Sequence, residues 1–221
     1  IRYGVGMDGI DEQAADELGI VATNTRDFCT GEMADHCLAL LLACARNIVG
    51  YAEATRAGLW REGTDRSLSR LQHATAGIVG FGAIGRAFAK RLLALGMRVL
   101  CHDPYIDAET AIKMGVEPVD LNGLLAESDY ISLNCPLSEE TRHLIGAAEF
   151  DSMKSTAFLI NTSRGAVVDE DALIEAIRNE SIAGAALDVL ETEPPAEDNP
   201  LLHDNRVIVT PHMAWYSEQS A

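Results

Sequence analysis

Basic residues are scarce in this chain of 221 residues: 17 lysines and arginines stand against 34 aspartates and glutamates, for a net charge of −17. So acidic a chain argues against nucleic-acid binding, which depends on cations that displace phosphate counterions. Long apolar runs are missing too. The longest, residues 37–45, falls well short of the ~20 residues a membrane helix needs, and no membrane partner is expected. The five cysteines, Cys29, Cys37, Cys44, Cys101 and Cys135, contain no C-x-x-C pair and cannot all pair with one another. Reduced thiols are the simpler reading. No His/Cys/Asp group has zinc spacing, so no metal is expected. Ile1-Arg2-Tyr3-Gly4 lacks the charged-then-apolar pattern of a signal peptide. With the thiols, this gives the expectation of a cytoplasmic protein.

What is present is an α/β pattern in a chain long enough to bury a sizeable core. Its centre is Gly80-Phe81-Gly82-Ala83-Ile84-Gly85, set between a buried apolar strand at 75–79 and an amphipathic helix at 83–95 that Gly96 stops. The next strand, 98–101, ends just before Asp103, eighteen residues past the last glycine. A dinucleotide-binding βαβ unit needs this context. Gly80 allows a tight turn, Gly82 lets backbone approach a pyrophosphate, and Gly85 permits close packing of helix on strand. The helix start at Ala83 and Ile84 offers unpaired N–H groups to phosphates. Asp103 can accept hydrogen bonds from the adenosine ribose hydroxyls and would repel a 2′-phosphate, which favours NAD over NADP.

Strands and helices then alternate. Helices are expected at 107–114, 121–127, 147–153 and 169–179, and strands at 116–119, 130–133, 157–161, 183–188 and 206–209. The count is about seven strands, mostly parallel, in a doubly wound Rossmann sheet that binds ligands at the carboxyl ends of its strands. Before the dinucleotide unit come a short helix at 11–18, a strand at 20–22, a long helix at 31–51 and a polar connector at 57–73. Residues 1–24 read as the tail of a second lobe that begins before this sequence. Residues 25–212 form the NAD-binding domain, and 213–221 start a return segment to that other lobe.

The ends of the late strands carry the chemistry. Asn161-Thr162-Ser163-Arg164-Gly165 follows one apolar strand, Glu193 lies in the acidic stretch after the next, and His212 follows the last. Arginine, carboxylate and histidine converging beside a nicotinamide suit hydride transfer to a 2-keto acid. The guanidinium of Arg164 can bind the substrate carboxylate and polarise the ketone. The imidazole of His212 can give a proton to the ketone oxygen. A carboxylate on its other ring nitrogen, that of Glu193, would orient the ring and favour its charged form. His36, His73, His102, His143 and His203 receive no role.

Several motifs in order make the chain resemble the D-isomer-specific 2-hydroxyacid dehydrogenases over essentially its whole length. They are Gly4-Val5-Gly6-Met7-Asp8-Gly9-Ile10-Asp11, Ala34-Asp35-His36, the glycine loop, residues 136–145, the Arg164 turn and Ala186-Leu187-Asp188-Val189. The resemblance implies two lobes around a cleft, the partial one a flavodoxin-like substrate lobe, and a homodimer formed through the cofactor lobes. It implies Arg164, Glu193 and His212 as the catalytic set, with backbone amides of Val5 and Gly6 on the substrate carboxylate. Further NAD contacts would come from Cys135, Pro136, Thr141, Thr162 and Asp188. The run from Pro211 to Gln219 resembles the C-terminal-binding protein branch, where a tryptophan at the position of Trp215 lines the substrate pocket. Gly9 stands where asparagine is usual, and Asn134 where histidine is common. The expected function is NAD-dependent interconversion of a small D-2-hydroxy acid and its 2-keto acid. The alternative is an NAD(H)-responsive corepressor-like or scaffold protein with incidental catalysis.

Overall fold

Apolar runs of four or five residues become the centre of a parallel sheet. The structure, a computed structural model, describes residues 1–60 and 68–220. In chain order the elements are α1 (Glu12–Glu17), α2 (Thr30–Arg46), α3 (Ile48–Arg56), β1 (Thr75–Val79), α4 (Ala83–Ala94), β2 (Arg98–His102), α5 (Ala108–Lys113) and β3 (Glu117–Pro118). Then follow α6 (Leu121–Glu127), β4 (Tyr130–Leu133), α7 (Ala147–Ser152), β5 (Phe158–Asn161), α8 (Glu170–Arg178), β6 (Gly184–Leu187) and β7 (Val207–Val209). The sheet order is β3-β2-β1-β4-β5-β6-β7, with every neighbouring pair parallel. The chain builds outward from β1 to β3, then returns to start the other half at β4. The crevice between β1 and β4 is therefore the switch point where such sheets bind ligands.

Both faces of the sheet are covered. On one, α2 and α4 bury Cys37, Leu41, Phe88 and Leu92 against Ile78 and Ile160. On the other, Leu124, Leu125, Phe150, Leu173 and Ile177 pack on Val79, Leu133 and Leu159. Each large side chain fully removed from water contributes about 1.5–3 kcal/mol, which makes this two-sided packing the main source of rigidity beneath the crevice. Aspartates set several helix starts: the carboxylates of Asp11, Asp120 and Asp169 accept from Ala14, Gly123 and Ala172 N–H at 2.9, 2.7 and 3.1 Å. Such a cap is worth about 1 kcal/mol.

Two expectations are corrected. The single helix at 31–51 is broken: α2 ends at Arg46, and α3 sets off at 61° to it. Asn47 sits between them in the left-handed conformation, φ 49° and ψ 41°, which asparagine adopts more readily than most residues. The expected strand at 20–22 has no ladder partner, and Ile20 and Val21 lie exposed, at 57% and 87%. Apolar composition alone does not make a strand where no neighbour supplies hydrogen bonds. Of the expected connector at 57–73, residues 61–67 lie outside the described residues, as does Ala221 at the end of the return segment.

The two ends of the chain meet. Arg2 bridges to Asn24, while Tyr3 packs on Phe28 and edge-on to Trp215, with centroids 5.0 and 6.3 Å apart. The Tyr3 hydroxyl donates to the carbonyl of Ser220. No single helix among the described residues is long and apolar enough to cross a membrane.

Candidate active site

The glycine loop is shaped by backbone. Gly80 turns at φ +90°, and a Cβ there would lie 2.5 Å from the Cys135 nitrogen and 2.6 Å from the Asn134 carbonyl carbon. Only glycine lets β1 and β4 approach this closely at the switch point. Gly85 is equally confined, since its Cβ would stand 2.3 Å from the Gly80 oxygen. Gly82 differs. Nothing lies within 4 Å of the place its Cβ would take, and it caps α4 with no side-chain acceptor. Gly82 and Ala83 are exposed, so the first amides of α4, including that of Ile84, open toward solvent with the positive end of the helix dipole.

Asp103 lies beside this loop. One carboxylate oxygen accepts the Phe81 N–H at 2.8 Å, and the other accepts the Tyr105 N–H at 2.9 Å. A negative side chain is thus fixed next to an uncapped helix start with open space before it. This donor and acceptor set fits a dinucleotide, its pyrophosphate on the amides and its ribose at Asp103. Across the crevice, Cys135 and Pro136 follow β4. Burial pushes the Cys135 thiol up to about 11, so it is a neutral wall rather than a nucleophile. The Thr141 hydroxyl donates to the Pro136 carbonyl at 2.6 Å and accepts the Ser138 N–H at 2.8 Å, closing the turn it sits in.

The sheet's other half brings three strand ends together. Asn161, 1% exposed, donates its amide to the Arg164 carbonyl at 2.9 Å and accepts the Ser163 N–H at 3.0 Å, which sets the turn after β5. Arg164 then reaches Asp8, with Nε at 3.1 Å and Nη2 at 3.0 Å from one oxygen, while Nη1 donates to the Ser163 carbonyl at 2.7 Å. One N–H on Nη1 and one on Nη2 remain for a ligand. Burial pushes the Asp8 carboxyl up, but the hydrogen bond and charge of Arg164 outweigh it and hold Asp8 below the usual carboxylate range. After β6, Glu193 accepts the Leu190 N–H at 3.1 Å and meets His212 Nδ1 at 2.6 Å. Gly165 joins these strand ends: its Cβ would stand 2.0 Å from the Leu190 carbonyl, so glycine alone lets the Arg164 turn rest against the segment leading to Glu193.

The remaining expected residues fall into two groups. Gly6 lies against Arg164, since a Cβ there would come 1.8 Å from Nη2. The Val5 carbonyl accepts from Asn24 at 2.5 Å. Trp215 donates its indole N–H to the His212 carbonyl at 3.1 Å. Gly6 and Trp215 thus lie beside Arg164 and His212, while Val5 is held to Asn24. Thr162 and Asp188, by contrast, direct their polar atoms into the protein. Thr162 Oγ1 meets Cys37 Sγ at 3.0 Å. The Asp188 carboxylate, 1% exposed, accepts from the Thr210 hydroxyl at 2.5 Å and from the N–H groups of Met213 and Ala214 at 3.0 and 2.8 Å. Asp8, Asn161 and Gly165 support these side chains. All three stand inside the motifs quoted above, but nothing in the local sequence announces the distant partners of Asp8 and Gly165.

The family described as D-isomer specific 2-hydroxyacid dehydrogenase, NAD binding domain, matches residues 38–214. A glyoxylate reductase of Korarchaeum cryptofilum is 43% identical over 222 residues, covering 99% of this chain and 67% of that protein. A D-3-phosphoglycerate dehydrogenase of Archaeoglobus fulgidus is 44% identical, covering 96% of this chain and 40% of that one. Among solved structures, the D-lactate dehydrogenase of Aquifex aeolicus complexed with NAD and lactic acid superimposes with a TM-score of 0.91 at 33% identity, covering 99% of this chain and 70% of that one. The chain thus spans from 40% to about 70% of the length of these proteins.

Proposed function

Because the chain belongs to the D-isomer-specific 2-hydroxyacid dehydrogenase family and carries its NAD-binding domain, we propose that the protein interconverts a small D-2-hydroxy acid and its 2-keto acid. The observation that carries this is the Glu193–His212 contact at 2.6 Å, set at adjoining strand ends with Arg164. The glycine loop and Asp103 would hold NAD, which would supply or take up the hydride. Arg164, its plane held by Asp8 and the Ser163 carbonyl, binds the substrate carboxylate and polarises the ketone with its two remaining N–H groups. Amides of Val5 and Gly6 help to hold that carboxylate. His212, with Nδ1 fixed on Glu193, presents Nε2 to the ketone oxygen and gives it a proton; in the oxidative direction it takes the proton back.

Relatives named glyoxylate reductase, hydroxypyruvate reductase and glycerate dehydrogenase support a two- or three-carbon acid as substrate. Trp215, beside His212, bounds the space for the acid's side group. The Trp215 run also supports a place near the C-terminal-binding protein branch, where a cofactor-sensing role would accompany or replace catalysis. The complete Arg/Glu/His set favours the enzyme. Gly80, Gly82, Ala83, Ile84, Gly85 and Asp103 would hold NAD, with the turn 135–141 closing the other wall. Residues 1–24 and 213–221 would belong with the substrate lobe, and 25–212 with the cofactor lobe. A cytoplasmic homodimer, joined through the cofactor lobes and binding neither nucleic acid nor membrane, completes the proposal.

The test is NADH oxidation by the whole protein across a panel of 2-keto acids, with His212→Ala beside it. Turnover of one acid that falls by about a thousandfold in the variant, with NADH binding retained, establishes the enzyme. Equal rates for wild type and variant on every acid would overturn it and favour the binding-protein reading.

A further inference from the structure

His36 lies on α2, the helix that packs on β5 and β6, and the reaction as described does not use it. Its Nε2 is 3.0 Å from Thr210 Oγ1 and 3.5 Å from Asp188 Oδ1. The Thr210 hydroxyl gives its only proton to Asp188, so its oxygen is left as an acceptor. His36 therefore supplies the N–H from Nε2. Asp188 in turn holds the segment after β7. Its carboxylate takes Thr210, Met213 and Ala214, and its carbonyl takes the His212 N–H at 2.8 Å.

Between those anchors, His212 sits at φ 56°. A side-chain-bearing residue keeps that conformation only where its surroundings over-determine it. The partners of Asp188 provide this, and His36 ties them to a rigid helix. The next residue, Cys37, meets Thr162 at the end of β5, so this turn of α2 is fastened to two strand ends at once.

We propose that His36 is a positioning residue for His212, acting through Thr210 and Asp188 to hold segment 210–214 in the conformation that aims the imidazole. The proposal rests on the reading of His212 as proton donor, and its test separates the two. His36→Leu removes the donor; His36→Gln keeps an N–H able to reach Thr210. Amide hydrogen exchange is followed in the NAD-saturated protein, and kcat, KM and NADH Kd are measured with the best keto acid.

In His36→Leu the Met213 and Ala214 amides should exchange about tenfold faster, while those of β4 and β5 stay unchanged. The kcat should fall about tenfold with NADH Kd within about twofold of wild type. His36→Gln should restore most of both, and it carries the test alone if His36→Leu fails to fold. Exchange at Met213 and Ala214 unchanged in His36→Leu would overturn the proposal. So would a glutamine variant as impaired as the leucine one, which would show that ring shape and not the hydrogen bond matters. If wild type reduces no keto acid, the functional reading falls, and the exchange data still decide whether His36 fixes the segment.

Discussion

The two halves of the crevice are built from different materials. On the side of β1 and β2, the ligand would meet backbone: amides at the start of α4, a turn at Gly80, and one side chain, Asp103, itself held by two main-chain N–H groups. On the side of β5, β6 and β7, it would meet side chains: Arg164 on Asp8, His212 on Glu193, and Asp188 holding segment 210–214. Binding a dinucleotide needs a surface of fixed dipoles, which backbone provides without long side chains to order. Moving a proton needs a group that changes its charge, and only side chains do that. On the proposed function, the division of materials follows the division of labour.

The comparison breaks first at Gly80. Gly80→Ala places a methyl group against the backbone of Asn134 and Cys135 in a left-handed conformation. It should cost about 3 kcal/mol of stability in urea denaturation and NADH binding with it. Gly82→Ala sharpens the same half from the other direction. Its Cβ meets no protein atom, so stability should hold within about 0.5 kcal/mol. NADH affinity measured by fluorescence titration should nonetheless drop about tenfold, because the methyl group stands where the phosphates would approach.

The smallest effect concerns Asp8, on the side-chain half. Its folded carboxyl is held below the usual range by Arg164, so the folded chain binds that proton less readily than the unfolded one. The contact therefore stabilises above about pH 4 and fades as pH falls through the lowered value. Asp8→Asn should cost under about 1 kcal/mol at pH 7, the pair being partly solvated. The difference from wild type should vanish in denaturation curves recorded well below pH 4.

The same contrast governs what could be read from the sequence. Glycines at fixed spacing, a strand before them, a helix after them and Asp103 beyond describe one continuous stretch, so local chemistry names it. The strand count and sheet type were legible for the same reason, as apolar runs of strand length recur between helical segments. The meeting of Glu193 and His212 near the Arg164 turn could be anticipated because each follows a strand, and parallel strands end on one side. The contacts that reach across the chain to other elements could not. His36 and Thr210 are 174 residues apart, and Arg164 and Asp8 are 156 apart. No periodicity links such pairs. Gly165 marks its turn in the sequence, but its contact with Leu190 exists only once β5 and β6 lie side by side. The bend at Asn47 was hidden because apolar spacing continues across it. The strand expected at 20–22 failed because pairing belongs to a neighbour, not to the segment itself.

The most direct measurement titrates NADH into this chain and into the double variant Glu193→Gln/His212→Ala. If the backbone half alone holds the dinucleotide, the two Kd values agree within about twofold. A loss of tenfold or more in the double variant, with the fold intact by circular dichroism, would contradict the separation of the two halves and make the side-chain network part of the cofactor site.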